Sequence, residues 1–291
     1  MGLVEDWGDR GRLLDVGGRR IFALDVPADI ERFEPLLLLH GFPSSCFDWR
    51  HVIDALARDR RVVTFDFLGF GLSDKPSGIR YSLFDQATIA EDVARNLGIE
   101  SAAVVSHDMG DSIAAELYAR SIEGKLGFEI TSRVLTNGSI YIEMAQLSPG
   151  QQMLLAMSDE PLPIEIAPTE ETFAASIAAI FGDTPAEPAE LHAQWELLAR
   201  QDGQTILPRT IRYIEERREH EERWIAALRD HRAPIALAWG DRDPIAVYAM
   251  AERFCEERPG TPLTRLDGVG HFPMIEAPGR LYDAIEVALR N

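Results

Sequence analysis

Two acidic residues and a histidine each follow an apolar run of strand type. Asp108 follows Ala102–Ser106 and opens a helical stretch rich in small residues. Asp243 follows Ile235–Trp239, and His271 follows the last predicted strand, Pro262–Asp267. Because ligands of open α/β sheets bind at the carboxyl ends of the strands, we expect these three side chains to meet. A carboxylate nucleophile, a second carboxylate and a histidine can together perform covalent catalysis.

A turn after Leu36–Leu39 offers backbone donors to the same place. Its sequence is His40-Gly41-Phe42-Pro43, and the N–H of Phe42 is expected to pair with that of Met109. Two such N–H groups aimed at one oxygen form an oxyanion hole. Asp108 keeps a second interpretation, since aspartate also favours the N-cap position of a helix.

An aspartate nucleophile reacts productively with only some kinds of electrophile. Attack on an ester or amide carbonyl gives an anhydride, whereas attack on an sp³ carbon gives a stable alkyl ester. Asp108 therefore argues against a lipase, esterase or peptidase and favours an epoxide or alkyl halide. In a second step His271 would activate water, supported by Asp243, while Phe42 and Met109 hold the oxyanion. This chemistry requires no metal and no organic cofactor.

Composition and charge limit the partners of the protein. The chain has 291 residues, of which 46% are hydrophobic, and a formal net charge of −19. Such a charge repels nucleic acid and anionic membranes, so we expect a small neutral organic substrate instead. Two cysteines, the lack of a signal peptide and short apolar runs predict a cytoplasmic protein. The sequence does not distinguish a monomer from a homodimer.

The order of the elements predicts an α/β fold. Strand-type runs alternate with helical stretches, and Gly17-Gly18 predicts a hairpin between the first two strands, so these should be antiparallel. The apolar runs after them predict parallel, buried strands. The predicted strands are Leu13–Val16, Arg20–Asp25, Leu36–Leu39, Val62–Asp66, Ala102–Ser106, Arg133–Thr136, Ile235–Trp239 and Pro262–Asp267.

Strand signals are missing between residues 141 and 231. We therefore predict a core of residues 1–140 and 232–291 that is interrupted by a helical insertion at 141–231. Helix starts are predicted at Thr169 and at Thr184-Pro185. The mixed-charge run Glu215–Arg223 predicts a solvated surface helix.

These motifs, taken in order, resemble the α/β-hydrolases of the epoxide hydrolase and haloalkane dehalogenase group over nearly the whole chain. The turn Asp66–Asp74 resembles that group's turn after the fourth strand. The sequence His107–Asp111, together with residues 202–224, resembles the branch of the mesoderm-specific transcript protein and its bacterial relatives. The resemblance implies an eight-stranded, mostly parallel sheet with helices on both faces and a helical cap. It also favours Asp243 over Asp241 as the acid.

The resemblance to epoxide hydrolases implies tyrosines in the cap that donate a proton to the opening ring. Tyr213 lies 30 residues before Asp243, where one is expected. A second is expected near Met153, but no tyrosine occurs between Tyr141 and Tyr213. Tyr141 is the remaining candidate for contact with the substrate.

Two other functions stay open. A haloalkane dehalogenase needs donors for the departing halide, commonly an indole directly after the nucleophile. That position is Met109, which has no N–H or O–H in its side chain. Trp195 and Trp224 of the insertion are candidate donors or substrate contacts. A catalytically idle binding protein of the same fold is the third interpretation, although an idle site has no need for Asp108, Asp243 and His271 together.

Overall fold

An eight-stranded sheet runs through the protein in the order β1-β2-β4-β3-β5-β6-β7-β8. The computed structural model describes residues 2–290. All eight predicted strands are present. The strands are β1 (Arg12–Val16), β2 (Arg19–Val26), β3 (Leu36–Leu39), β4 (Val62–Phe65), β5 (Ser101–His107), β6 (Glu129–Thr136), β7 (Ile235–Gly240) and β8 (Leu263–Leu266).

The pairing of the strands follows the sequence prediction. β1 pairs antiparallel with β2, and β2 pairs antiparallel with β4. Gly17 and Gly18 adopt φ values of +59° and +78° in the first hairpin, a conformation that glycine adopts without steric cost. All other pairs are parallel. The four leucines of β3 are fully buried, as expected for a central parallel strand.

Two groups of helices cover the sheet. α3 and α10 both pack against α4, and α2, α12 and α13 form the second group. No helix within residues 2–290 is long and apolar enough to cross a bilayer. The helices are α1 (Leu3–Arg10), α2 (Arg50–Leu56), α3 (Leu83–Asn96), α4 (Met109–Ile122), α5 (Pro149–Ala156), α6 (Glu170–Ala178), α7 (Pro188–Ala199), α8 (Leu207–Thr210), α9 (Tyr213–Glu219), α10 (Glu221–Asp230), α11 (Tyr248–Glu257), α12 (Pro273–Glu276) and α13 (Pro278–Arg290). Cys46–Trp49, Ile142–Met144 and Arg200–Ile206 form 3₁₀ turns.

The chain between β6 and β7, here called the insertion, contains α5 to α10. Thr169 caps α6 as predicted. The start predicted at Thr184-Pro185 is wrong, because α7 begins at Pro188 after Glu187. A helix that started earlier would place Pro188 in its interior, where the ring clashes and the N–H is missing. α10 packs along α4, so the last helix of the insertion lies against the core.

The prediction of one solvated helix over Glu215–Arg223 is also wrong. The chain leaves helical geometry at His220, where φ is −112° and ψ is 17°, and this residue separates α9 from α10. Arg217 is 1% exposed, and Arg223 donates to Glu116 of α4. The inward face of this charged run therefore binds the core.

Other contacts join the insertion to the core along its second half. The guanidinium of Arg50 binds the buried Glu190 of α7. The Lys75 ammonium donates to the carbonyl of Leu197, and burial lowers the pKa of Lys75 to about 8. The exposed apolar side chains of the insertion, Met153, Ile164 and Ile166, lie in its first half.

The first turn of α4 approaches β3 so closely that it requires glycine. A Cβ on Gly110 would lie 2.5 Å from the carbonyl oxygen of His40 and 2.8 Å from that of Leu39. We expect Gly110→Ala to lower the free energy of unfolding by about 1–3 kcal/mol, the usual cost of overpacking. Urea denaturation measures this. The control is Gly279→Ala in α13, where the added Cβ meets open space, so this variant should be neutral or more stable. Equal losses of stability in both variants would contradict the packing argument.

Candidate active site

Asp108 lies on a sharp turn between β5 and α4. Its backbone has φ 51° and ψ −118°, a conformation that is rare for residues other than glycine. Strained residues of this kind cluster at functional sites. A Cβ on Gly41 would lie 2.4 Å from the Cβ of Asp108, so the neighbouring turn also depends on glycine. The side chain of Asp108 makes no N-cap hydrogen bond, which rules out the N-cap interpretation.

The two carboxylate oxygens of Asp108 have different surroundings. Oδ1 accepts the backbone N–H of Phe42 at 2.7 Å. Oδ2 lies 3.6 Å from Nε2 of His271 and is held less tightly. Met109 is the first residue of α4, so its N–H belongs to the first turn, where no helical carbonyl accepts it.

His271 is oriented by Asp243. Its Nδ1 lies 2.8 Å from Oδ2 of Asp243. The other oxygen of Asp243 accepts the N–H groups of Ile245 and Ala246, at 2.7 and 3.0 Å. The alternative acid, Asp241, instead pairs with Arg265. The structure therefore brings Asp108, Asp243 and His271 together and leaves Asp241 outside.

Asn137 is a site residue that sequence reasoning missed. Its amide nitrogen donates to Oδ2 of Asp243 at 2.8 Å, and its amide oxygen accepts the N–H of Gly240 at 2.9 Å. It follows β6 directly and adopts φ 47°. A polar residue at the end of a strand was the available signal, the same one that identified Asp243. Asn137 fixes the carboxylate that orients the histidine.

The buried charges of the site stabilise one another. Burial opposes the charged form of His271, but Asp243 and Asp108 raise its pKa to about 10. Burial likewise opposes the ionised form of Asp108, but contact with His271 and the Phe42 N–H keeps its pKa below the usual value. The resting site thus holds an imidazolium between two carboxylates.

The two other histidines at the site are neutral. Burial lowers the pKa of His107 to about 4 and that of His40 to about 3. Nε2 of His107 lies 2.8 Å from the carbonyl of His271. His40 accepts the N–H of Phe67 through Nε2, so its Nδ1 carries the proton toward the carbonyl of Gly41. His40 therefore supports the Phe42 turn.

The loop that carries His271 is joined to the insertion by Glu276. This carboxylate accepts the N–H groups of Gly182, Gly270 and Phe272 at 2.8, 2.8 and 3.0 Å. The N–H of His271 donates to the carbonyl of Ile180 at 2.9 Å. A Cβ on Gly270 would lie 2.4 Å from the nitrogen of Gly182, so the two backbones touch. The chain that leaves α6 therefore contacts the histidine loop directly.

A cavity of about 130 Å³ lies between the core and the insertion, next to His271 and Phe42. Its other walls are mostly apolar and come from α5, α6 and α8, including Leu154, Phe173 and Leu207. Apart from His271, none of the residues that line it is charged at neutral pH. Such a cavity suits a small apolar molecule.

Tyr213 lies at the site. It is 6% exposed, and its ring centroid lies 5.6 Å from that of Phe42. Burial and the charge of Asp108 raise its pKa well above the usual value, so the phenol stays protonated. Among residues 2–290 no group forms a hydrogen bond with its hydroxyl. The hydroxyl is thus available to a ligand.

Neither Tyr213 nor the other aromatic candidates, Tyr141, Trp195 and Trp224, line the cavity. The Tyr141 hydroxyl donates to Glu257 at 2.9 Å, with the Arg253 guanidinium over its ring. The Trp224 indole donates to Glu116 at 3.0 Å. Trp195 packs behind the cavity wall on Phe173, at a centroid distance of 5.7 Å. The structure thus does not support the predicted substrate contacts of these three residues.

Comparison with known proteins agrees with the fold. A model of the alpha/beta hydrolase fold family matches residues 34–278. The chain belongs to this family. The predicted α/β-hydrolase fold, an eight-stranded, mostly parallel sheet with a helical insertion, is thereby confirmed.

Several relatives are similar over long stretches. The protein LipZ of Mycobacterium tuberculosis is 40% identical over 94% of both chains. The mesoderm-specific transcript protein of Mus musculus is 32% identical over 94% of this chain and 84% of its own. A soluble epoxide hydrolase of Corynebacterium is 43% identical over 83 residues, 28% of either chain. An α/β-hydrolase fold protein of Burkholderia ambifaria superposes with a TM-score of 0.77 at 22% identity, over 94% of this chain and 96% of its own.

The charge arrangement predicts an unusual titration of His271. Since its folded pKa of about 10 exceeds the ordinary 6.5, the folded state binds the proton more tightly. Its contribution to stability is present below about pH 6.5 and is lost as the pH rises through 10. NMR of the ring protons should show this titration near pH 10. In Asp108→Asn the midpoint should fall, because one stabilising charge is gone, whereas Asp241→Asn should leave it unchanged; an unshifted midpoint in Asp108→Asn would contradict the pairing.

Proposed function

We propose that the protein is a hydrolase that opens epoxides to vicinal diols through an alkyl ester on Asp108. The observation that carries the proposal is the unequal placing of the two Asp108 oxygens. Oδ1 binds the N–H of Phe42, while Oδ2 has no donor as close. Oδ2 is therefore the nucleophile, and Oδ1 already occupies the position in which an oxyanion would develop.

In the first step Oδ2 attacks a carbon of the three-membered ring, and the bond from that carbon to the ring oxygen breaks. The electron pair of that bond goes to the oxygen, which takes a proton from Tyr213. A phenol is suited to this role because it stays protonated at neutral pH, and the pKa of Tyr213 is raised further by burial. Tyr213 afterwards regains a proton from solvent.

Formation of the ester changes the protonation state of His271. The charge of Asp108 helps to raise the pKa of His271, and esterification removes that charge. The pKa of His271 therefore falls, and the ring releases its proton to solvent. Neutral His271 then accepts a proton from water, which attacks the ester carbon of Asp108. The N–H groups of Phe42 and Met109 stabilise the oxyanion on Oδ1.

Collapse of the tetrahedral intermediate breaks the bond between the ester carbon and the alkyl oxygen. That oxygen leaves as the second hydroxyl of the diol and takes the proton from His271. Asp108 is left as a carboxylic acid and gives its proton to neutral His271, which restores the carboxylate and the imidazolium. The sum of both steps is one epoxide and one water converted to one diol. Similarity to a soluble epoxide hydrolase of Corynebacterium over 83 residues supports this reaction class.

The site offers few hydrogen-bond donors to a departing halide. Met109 follows Asp108 without an N–H or O–H in its side chain, and the indole of Trp224 is bound to Glu116. A dehalogenase is therefore the weaker candidate, and a binding protein without catalysis is weaker still, because the three residues of the catalytic mechanism are assembled.

Trapping of the covalent intermediate tests the reaction. We expect His271→Gln, incubated with a panel of epoxides, to gain the mass of the whole epoxide on Asp108, because hydrolysis lacks its base. Intact-mass spectrometry and peptide mapping detect the adduct. The controls are His271→Gln/Asp108→Asn, which should gain nothing, and His271→Gln/Asp241→Asn, which should react like the parent. An alkyl adduct from chloroalkanes, without an adduct from any epoxide, would instead indicate a dehalogenase.

Tyr213 gives a second test. We expect Tyr213→Phe to lower kcat for epoxides about 10²-fold to 10⁴-fold, the usual contribution of a general acid. Alkylation of Asp108 by an alkyl iodide should be unchanged, since iodide leaves without a proton. Stopped-flow and mass measurements follow the two reactions. Tyr248→Phe, on a tyrosine outside the site, is the control. Equal rates for Tyr213→Phe and wild type on epoxides would exclude Tyr213 as the acid.

A further inference from the structure

Arg217 is a buried cation that the proposed mechanism does not yet use. It lies four residues after Tyr213 on α9, so the two side chains share one face of the helix. The residue is 1% exposed. Burying a guanidinium carries a high desolvation cost, so its position needs a physical reason.

The guanidinium of Arg217 joins α9 to the core at two points. Nη1 donates to the hydroxyl of Ser112, and Nη2 donates to the carbonyl of Ile140 at 2.7 Å. Ser112 lies one turn after Asp108 on α4, while Ile140 belongs to the segment that follows β6. Arg217 therefore links the helix of Tyr213 to the helix that begins at Asp108.

Both hydrogen bonds of Arg217 go to neutral oxygens, so no partner in them cancels its charge. The carboxyl of Asp111 is one of the acidic groups whose charge acts on Arg217, but burial raises the pKa of Asp111 well above its usual value. Burial thus disfavours the charged form of Asp111. Glu221, Tyr213 and Asp108 act on Arg217 in that order after Asp111, so Tyr213 and Asp108 lie within reach of its positive charge.

We propose that Arg217 is a positioning residue for ring opening. Its two hydrogen bonds fix α9, the helix that carries Tyr213, against the core, and its positive charge favours the tyrosinate that forms when Tyr213 gives up its proton. This inference rests on the proposed function. A merely structural anchor between the insertion and the core would instead affect every reaction of the site alike.

Comparison of an epoxide with an alkyl iodide distinguishes a positioning role of Arg217 from a merely structural one. We expect Arg217→Met to lower kcat for an epoxide about 10-fold to 100-fold with little change in KM, while alkylation by an alkyl iodide keeps its rate. Arg217→Lys retains the charge and should recover part of the loss. Arg218→Met, an exposed neighbour on the same helix, should match wild type. Equal losses with the epoxide and the iodide would overturn the proposal.

A double-mutant cycle tests the connection to Tyr213. If Arg217 acts through the phenol, Arg217→Met adds little to the loss already caused by Tyr213→Phe, because coupled residues are not additive. Independent, multiplied losses would contradict the proposal. If Arg217→Met folds poorly, Ser112→Ala replaces it in the cycle: it removes one hydrogen bond, keeps the charge and should give a smaller loss of kcat.

Hydrogen exchange provides a readout that needs no substrate. The amides of α9 should exchange faster in Arg217→Met than in Arg217→Lys or wild type, because α9 loses its attachment to α4. Unchanged exchange would overturn the positioning role even in an active enzyme. If the wild type opens no epoxide but α9 responds as expected, the proposed function fails while the attachment stands.

Discussion

The structure of the site depends on keeping one carboxylate charged where water is excluded. Asp108 is 4% exposed, and burial alone would favour its neutral form, which is a poor nucleophile. The N–H of Phe42 and the imidazolium of His271 offset that cost. Each depends on further groups: Phe42 on the turn held by His40, and His271 on Asp243, which Asn137 fixes in turn. The glycines at 41 and 110 let these backbones approach closely enough.

Much of this arrangement was predictable because it follows from local rules. Parallel strands buried on both faces need continuous apolar runs, and ligands gather at their carboxyl ends. The central strands and the placing of Asp108, Asp243 and His271 therefore follow from the sequence. The position of Tyr213 required the resemblance to a known group, because nothing in the local sequence distinguishes it from a tyrosine of the hydrophobic core.

The sequence predictions that were wrong concern packing between segments that are distant along the chain. Glu215–Arg223 has the composition of a solvated helix, and only the approach of α4 reveals that Arg217 is enclosed. Tyr141 and Trp224 are of suitable type for a substrate site, yet Glu257 and Glu116, both remote in sequence, bind their polar atoms. Periodicity reports the apolar face of a helix, but it does not report which partner covers a polar side chain.

Two of the helices that wall the cavity, α5 and α6, are attached differently. α5 lies on the side of the exposed residues Met153 and Ile166, whereas the chain leaving α6 is bonded to the histidine loop through Ile180, Gly182 and Glu276. Reshaping the cavity for larger ligands thus has unequal consequences. Replacements in α5 leave the bonds to the histidine loop intact, while a shift of α6 also moves His271. Directed evolution of substrate range in this scaffold should therefore accumulate its tolerated changes in α5.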